Sequence, residues 1–269
     1  MTTRVRSRPA VHRRPVVLSI AGSDSSAGAG AQADLKTFSY FGCYGLTAVT
    51  CVVAEVPGKV SAIQAMRPEI VAEQISLSFS AFPVAVAKTG MLFSSAIVEA
   101  VADALAGRGK RLVVDPVMVA SSGAKLLQND AVEALVSRLF PLATVVTPNL
   151  DEAEARVGPG SSRELAVRLH DLGAPAVIVT GGHGDDPVDH LFDGADHVEI
   201  EFERHEVAAT HGAGCTHSAT LTALLARGQT LQEAARGAAA TASAAVAHGL
   251  TEIGHGEGPV DVLDLNGAA

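Results

Sequence analysis

Residues 16–41 read VVLSIAGSDSSAGAGAQADLKTFSYF, which is an apolar run, then a loop rich in Gly and Ser, then a segment with helical spacing. The apolar run at 16–21 predicts a buried strand, and 32–41, which ends at Gly42, predicts a helix. A strand that leads through a loop into a helix is the repeating unit of a parallel sheet. This stretch therefore indicates an α/β fold.

The same alternation continues along the chain. Further strands are predicted at 46–54, 84–88, 112–115, 144–147 and 177–180. Further helices are predicted at 68–82, 94–105, about 130–139, 161–172, 215–227 and 231–249. Residues 188–207, where polar and apolar side chains alternate around Gly194, predict a hairpin. Strands made of Val and Ile runs indicate a mostly parallel central sheet with helices on both faces.

The chain is predicted to be a single domain after a basic tail. Residues 1–14 contain five arginines and predict a disordered tail, because the apolar run that follows is too short for the core of a signal peptide. No stretch approaches the roughly 20 apolar residues of a membrane span. Residues 15–269 contain no linker rich in Pro, Gly and Ser and no internal repeat, which predicts one domain.

The composition of the chain argues against several classes of partner and of structural site. The formal net charge of −9 argues against nucleic-acid and anionic-membrane partners. With no Trp and only 4% aromatic residues, the chain also lacks stacking platforms for single strands. The three cysteines, Cys43, Cys51 and Cys215, are odd in number and widely spaced, so they fit neither a disulfide framework nor a zinc site. A reducing cytoplasm is the predicted location.

The segment HGAGCTHS at 211–218 places Cys215 behind two glycines, just where an Ala-rich helix is predicted to begin. Free N–H groups and the positive end of the helix dipole favour an anion at such a point. The same field predicts a lowered pKa for the Cys215 thiol. A phosphate-sized anion beside an activatable side chain suggests phosphoryl transfer, and a glycine turn with a small buried cysteine is the alternative.

The loop at 22–30 has two competing interpretations. Residues 28–33 match the dinucleotide fingerprint G-x-G-x-x-G/A, with Glu55 as the ribose-binding acid. However, the first glycine of that fingerprint follows its strand at once, and here several residues intervene. The loop therefore fits better as the lip of a substrate site, unless it is only structural. Asp34 is either a first-turn acid favoured by the helix dipole or a partner for a nitrogenous ring.

Acidic and glycine-rich segments follow later strands. Asp115 ends one predicted strand, and a carboxylate there suits Mg²⁺, with Glu152 as the second acid. The alternative is helix capping, because Asn149 is a natural N-cap with Glu152 three residues on. The glycines after Thr180 allow a nucleotide phosphate to approach, or simply form a turn. The chain has no G-x-x-x-x-G-K-[ST] motif, which argues against a P-loop kinase.

Taken together, these motifs resemble the hydroxymethylpyrimidine/phosphomethylpyrimidine kinases of thiamine biosynthesis, in the ribokinase-like superfamily. The opening run SIAGSDSSAGAGAQADLKTF at 19–38 and HGAGCT at 211–216 carry most of the resemblance. Similar short motifs are YG at 44–45, KTGML at 88–92, DPVM at 115–118, TPNL at 147–150, GGH at 181–183, GHG at 254–256 and GPV at 258–260. The similarity covers roughly residues 16–260, in order.

The resemblance implies a ribokinase-like three-layer sandwich. It also implies an ATP-dependent kinase that phosphorylates 4-amino-5-hydroxymethyl-2-methylpyrimidine and then its monophosphate. The pyrimidine pocket would comprise Gly22, Ala29, Asp34, Glu55 and Met91, with Val117 or Met118 beside it. Nucleotide contacts would involve Asn149, Thr180, Gly182, His211 and Arg236, and Mg²⁺ would lie on Asp115 and Glu152. Relatives in the superfamily are often dimers, so a homodimer is expected.

For the chemical step, we predict that Cys215 accepts the proton of the substrate hydroxyl. The N–H groups of Ala213, Gly214 and Cys215, after the turn at Gly212, would hold the transferring phosphoryl group. The chain departs from the family pattern at Thr180, where many members carry lysine, and Arg236 is a candidate to supply that charge. Glu55 stands where glutamine is frequent, and Ala213 where threonine is common.

Three other functions compete with this interpretation. A pyridoxal kinase of the same superfamily is the nearest, since a thiol at this place could also add to an aldehyde. A non-catalytic pyrimidine-binding protein is the second, suggested by Thr180 and by the lack of an aspartate at the Cys215 position. An NAD-dependent oxidoreductase, suggested by the fingerprint match, is the third.

Overall fold

The computed structural model describes residues 14–109, 111–118, 129–184, 186–265 and 267. Within these residues, nine strands form one sheet. They are β1 (Val16–Asp24), β2 (Tyr44–Val56), β3 (Lys59–Ala65), β4 (Val84–Thr89), β5 (Arg111–Val114), β6 (Val145–Val146), β7 (Val177–Val179), β8 (Val188–Phe192) and β9 (His197–Glu201). Their order across the sheet is β3-β2-β1-β4-β5-β6-β7-β8-β9.

The central part of the sheet is parallel and its edges are antiparallel. Strands β2, β1, β4, β5, β6 and β7 run parallel to their neighbours, whereas β3, β8 and β9 pair antiparallel. The predicted mostly parallel sheet and the hairpin of β8 and β9 are confirmed. Strand β3 was not predicted, although Pro57 and Gly58 mark its two-residue turn, with Gly58 at φ +79°.

Helices cover both faces of the sheet. They are α1 (Gly30–Tyr40), α2 (Pro68–Ala81), α3 (Ser95–Leu105), α4 (Asn129–Ala134), α5 (Leu150–Val157), α6 (Ser162–Asp171), α7 (Ala213–Ala226) and α8 (Leu231–Ala247). One core cluster joins the sheet to α2, α3, α4, α5 and α6, and the other joins its opposite face to α1, α7 and α8. This arrangement confirms the predicted three layers.

Alternation along each strand assigns side chains to these two cores. In β5, Leu112 and Val114 pack into the first core and Val113 packs into the second. The carboxyl ends of β1, β4, β5 and β6 point to the same edge because the strands are parallel. That edge carries the loops before α1 and α5, and it faces the N-terminus of α7.

Several boundaries differ from the predictions. Helix α7 starts at Ala213, two residues earlier than predicted, and the segment predicted as one helix near 130–139 is α4 followed by a π-helical turn at Leu135–Leu139. The predicted basic tail lies outside the described residues except for Arg14, so the division into tail and single domain stays a prediction. In the part of the chain that the structure describes, none of the helices combines the length and the hydropathy of a membrane span.

Candidate active site

Two glycine-rich segments meet at the edge where the strands end. Gly212 is the N-cap of α7 with φ +89°, and a Cβ there would collide with the carbonyl oxygen of Gly28. Gly30 has φ +59°, and a Cβ on it would lie 2.5 Å from the carbonyl oxygen of Gly22. Only glycine adopts such backbone angles readily and leaves room for this approach. The loop before α1 and the turn before α7 therefore form one continuous wall.

The carboxylate of Asp24 holds these two segments together. It accepts hydrogen bonds from the N–H groups of Ser26 (2.6 Å) and Ala29 (2.8 Å), and it lies 3.0 Å from Nε2 of His211. Burial acts to raise the pKa of Asp24, but the bonds from His211, Ser26 and Ala29 outweigh it and lower the pKa to about 2. Burial likewise acts to lower the pKa of His211, and its bond to Asp24 raises it. His211, predicted to contact nucleotide, thus joins the two loops.

A buried charge cluster lies beneath this wall. Lys88 at the end of β4 is fully buried, and its Nζ lies 2.5 Å from Oδ1 of Asp34 and 3.8 Å from Oδ2 of Asp115. Ser19 donates to the other oxygen of Asp34 at 2.5 Å. Burial acts to lower the pKa of Lys88, but the charges of Asp34, Cys215 and Asp115 raise it above its usual value. Lysine is almost never fully buried unless it is paired.

The structure places Asp34 in a buried pair with Lys88. It has no exposed surface and both of its carboxylate oxygens are engaged, so its contact with a substrate ring stays a prediction. It is the counter-ion of Lys88 and lies under the site. Lys88 was not predicted as a site residue, although a lysine ending a buried strand was a usable signal.

The predicted pKa of Cys215 is wrong in direction. The thiol lies half-buried in the first turn of α7, and burial raises its pKa to about 12. Lys88 and the N–H of Gly30 act to lower the pKa, whereas the charges of Asp115 and Asp34 raise it further. The helix dipole, at most about 2 kcal/mol, is smaller than these opposing effects. The sequence showed the helix terminus but not the burial or the two carboxylates.

The anion site has fewer donors than predicted. The N–H of Ala213 donates to the carbonyl of Thr210 at 3.0 Å, so it is already engaged. In the described part of the chain, the N–H groups of Gly214 and Cys215 have no acceptor. Gly214 is exposed, and a Cβ on it would meet no atom within 4 Å. These two amides are therefore unpaired donors at the positive end of α7, beside the exposed Gly214.

Asp115 and Glu152 form an acidic pair. Oδ2 of Asp115 accepts from Oγ of Ser218 at 2.7 Å. The two oxygens of Glu152 accept the N–H groups of Met118 (3.1 Å) and Asn149 (3.0 Å). Burial and then the charge of Asp115 raise the pKa of Glu152 to about 8. The predicted capping box of Asn149 and Glu152 is present at the start of α5, so capping and carboxylate pairing coexist.

The substrate residues predicted from the resemblance partly converge. A Cβ on Gly22 would lie 2.8 Å from Sγ of Cys51 and 3.4 Å from Sδ of Met91. Met91 and Cys51 form a small apolar cluster, and Val117 packs against it. Met118 packs instead against the core under α3 and α4, so Val117 is the member of that pair beside Met91.

Glu55 lies near the end of β2, beside the residue 22–30 loop. Its N–H donates to Oγ of Ser25 at 2.8 Å, and that hydroxyl donates to its carbonyl at 2.6 Å. Burial and then the charge of Asp24 raise the pKa of Glu55, while His211 acts to lower it. This carboxyl is thus close to Asp24 and His211, and its contact with the substrate stays a prediction.

The predicted nucleotide loop follows β7. The N–H of Thr180 donates to the carbonyl of Pro148 at 3.0 Å, which places it beside Asn149. Gly182 is exposed, and a Cβ on it would meet no atom within 4 Å. Arg204, which was not predicted, donates to the carbonyls of Gly181 and Gly184. Arg236 is exposed on α8 and takes no part in the site contacts given above, so its nucleotide role stays a prediction.

Comparison with known proteins decides the family. A sequence model described as phosphomethylpyrimidine kinase matches residues 24–261. The chain belongs to the phosphomethylpyrimidine kinase family. This kinase is 46% identical to a hydroxymethylpyrimidine/phosphomethylpyrimidine kinase of Rhizobium meliloti, covering 91% of this chain and 96% of that protein.

Two further proteins resemble this family member. It is 45% identical to the thiamine biosynthesis bifunctional protein ThiED of Geobacter sulfurreducens, covering 95% of this chain and 54% of that longer protein. A solved structure of Bacillus subtilis pyridoxal kinase with ADP superposes with a TM-score of 0.86 at 36% identity, covering 94% of this chain and 99% of that one. The kinase is therefore a phosphotransferase with the predicted ribokinase-like fold, and the oxidoreductase alternative is set aside.

Proposed function

We propose that this chain transfers the γ-phosphoryl group of ATP to 4-amino-5-hydroxymethyl-2-methylpyrimidine, and then a second one to the monophosphate. The observation that carries the proposal is the junction of the residue 28–30 loop with the turn at Gly212, which is followed by the unpaired amides of Gly214 and Cys215. A phosphoryl group held by those amides lies next to the substrate loop. Because phosphoryl transfer depends mainly on positioning and electrostatics, such a junction suits it.

The pyrimidine fits the apolar wall between the loop and β2. Met91 and Val117 offer apolar contact to a flat ring, and Gly22 allows the loop to approach this wall closely, because any side chain there would meet Cys51. Glu55 and the backbone near Ala29 supply polar contacts for ring nitrogens and the amino group. ATP would approach from the side of Asn149, Thr180 and Gly182, so that donor and acceptor meet at Gly214.

Mg²⁺ fits the donor set, and Asp115 and Glu152 would hold it. In the described residues, no group of three or more His, Cys, Asp or Glu side chains could hold a metal. Mg²⁺ usually takes only one or two carboxylates, with water and phosphate oxygens completing its shell. A bound Mg²⁺ would neutralise phosphate charge. Asp115 would be kept in place by Ser218 and Lys88, and Glu152 by the amides of Met118 and Asn149.

Cys215 is proposed to accept the hydroxyl proton at Sγ. Because its pKa is raised to about 12, the thiolate is a small fraction at neutral pH, and that fraction grows about tenfold per pH unit. We therefore expect kcat/KM for the pyrimidine to rise by roughly tenfold per unit between about pH 7.5 and 9. Cys215→Ser should lose most of the turnover and this slope while still binding pyrimidine. A flat profile in the wild type would reject the base role.

Pyridoxal is the alternative acceptor, because the solved structure that superposes well is a pyridoxal kinase. Rates of ADP formation should be compared for the pyrimidine, its monophosphate, pyridoxal and no acceptor. We expect kcat/KM to be at least about tenfold higher for the pyrimidine than for pyridoxal, since such a difference needs only roughly 1.4 kcal/mol. Faster turnover of pyridoxal would favour the alternative. No ADP formation with any acceptor would favour a non-catalytic binding protein.

We also propose a homodimer in the cytoplasm. The dimer is supported by exposed apolar side chains near the edge of the sheet, Val52 and Val56 on β2, and by the open edge strand β3. The location is supported by the three free cysteines. The net charge of −9 agrees with small-molecule rather than nucleic-acid partners.

A further inference from the structure

A buried pair of side chains connects helix α7 with the loop after β7. His217 and Asp189 are each at least 95% buried, and Nε2 of His217 lies 2.8 Å from Oδ2 of Asp189. Because a carboxylate only accepts, Nε2 carries the hydrogen of this bond. The other oxygen, Oδ1, accepts the N–H of Gly181 at 2.9 Å. One carboxylate thus bonds both to α7 and to the first residue of the turn Gly181–His183.

Each end of this connection lies at a part of the site. His217 is in the second turn of α7, and helical side chains lean toward the N-terminus, so its ring lies on the side of Ala213 and Gly214. Gly181 is tightly seated, since a Cβ there would collide with the backbone of Val188 on β8. The backbone of the turn is therefore held at Gly181 by two contacts, the packing against Val188 and the hydrogen bond to Asp189.

Ordinary structural or metal roles explain the pair less well. Among the described residues, no cluster that could hold a metal includes His217. Burial of the pair removes the carboxylate of Asp189 from water, which costs free energy, and it leaves Nδ1 of His217 without a partner in the described part of the chain. A buried pair of this kind is weak evidence for stability in itself. What it does provide is a fixed direction for the N–H of Gly181, next to the exposed Gly182.

We propose that His217 and Asp189 are positioning residues, which hold the turn Gly181–His183 in the orientation that receives the ATP phosphates relative to the N-terminus of α7. The inference rests on the proposed assignment of this turn to nucleotide. It implies that the second turn of α7 affects the binding of the nucleotide and not the binding of the acceptor.

Three variants separate this role from general damage. His217→Leu removes the bond to Asp189 and leaves its carboxylate without the donor on α7. His217→Gln keeps an N–H donor near the Nε2 position but removes Nδ1. Asp189→Asn keeps an oxygen for Gly181 and offers an amide N–H to His217, whose ring can accept it in the other tautomer. His190→Gln is the matched control, because His190 is the next residue on β8, on its opposite face, and bonds to His197.

The experiment combines calorimetric titration with ADP, which needs no acceptor, and steady-state kinetics with ATP and the pyrimidine. For His217→Leu we expect Kd for ADP and KM for ATP to rise about tenfold or more, with KM for the pyrimidine within about twofold. His217→Gln, Asp189→Asn and His190→Gln should stay within about threefold of wild type for both ligands. If His217→Leu does not fold, a rise in Kd for ADP of tenfold or more in Asp189→Ala, with Asp189→Asn near wild type, carries the same test.

Specific outcomes would overturn the proposal. Unchanged ADP binding in His217→Leu would show that the turn does not need the pair. Equal losses in His217→Gln and His217→Leu would show that an N–H donor at this position does not restore nucleotide binding, which would overturn the role of the bond with Asp189. A parallel rise in both KM values would mean general structural damage. Failure of the proposed function is distinguishable, because the wild type would then bind ADP but show no turnover with the pyrimidine.

Discussion

Replacing Gly212 with alanine is expected to lower turnover by at least about a hundredfold and to destabilise the fold. At φ +89° a side chain costs roughly 1–2 kcal/mol, and the added Cβ would also collide with the carbonyl of Gly28. To relieve that contact, the substrate loop must move away from α7. A phosphoryl group held by the amides of Gly214 and Cys215 would then no longer lie next to the acceptor, and a misplacement of about 1 Å can cost roughly 10²-fold in rate. Steady-state kinetics and urea unfolding measure the two effects.

Gly214→Ala is the matched control for stability. A Cβ at Gly214 would meet no atom within 4 Å, so the same chemical change should leave the free energy of unfolding within about 0.5 kcal/mol of wild type. Turnover of Gly212→Ala within threefold of wild type would show that the close approach of the two loops is not needed for catalysis.

Replacing Lys88 with methionine is expected to remove about 3–5 kcal/mol of folding free energy, because it leaves the carboxylate of Asp34 buried without its counter-ion. Turnover should also fall by at least tenfold, since the ammonium group faces Asp115 and is the side chain whose charge favours the thiolate of Cys215. Chemical denaturation with a check on the m-value would measure stability, and kcat would be measured on the folded fraction.

The double variant Lys88→Met/Asp34→Asn separates the two effects. A neutral amide at 34 removes the unpaired charge and still accepts from Ser19, so most of the lost stability should return while turnover stays low. Lys59→Met on the exposed edge strand β3 is the control and should match wild type in both measurements. Recovery of turnover in the double variant would contradict the role of the ammonium in the site.

Much of the fold could be predicted from local patterns. Continuous Val and Ile runs between helical segments are typical of a doubly covered parallel sheet, and the described strands follow them. Strand β3 was not predicted because its exposed side chains show no apolar alternation. Only Pro57 and Gly58 marked its turn. The early start of α7 was missed because the conformation of Gly212 depends on a contact with a loop nearly 200 residues away.

The site was predicted in outline, but its electrostatics were not. The glycine patterns indicated the two loops, and the predicted strand ends indicated the carboxylates. The pKa of Cys215 depends on burial and on the charges of three side chains from other elements, none of which is visible from residues 211–218. Asp24 could have been found from its Asp-Ser-Ser turn, in which its carboxylate accepts the N–H of Ser26. His217 carried no such signal, because its partner Asp189 is distant in sequence.

Mass analysis of the acceptor after incubation with ATP and Mg²⁺ shows directly which molecule this kinase phosphorylates. We expect 4-amino-5-hydroxymethyl-2-methylpyrimidine to gain one and then two phosphoryl groups, with the monophosphate appearing first, and we expect Gly212→Ala to prevent both additions. An unmodified pyrimidine beside a phosphorylated pyridoxal, under the same conditions and with the same protein, would contradict it.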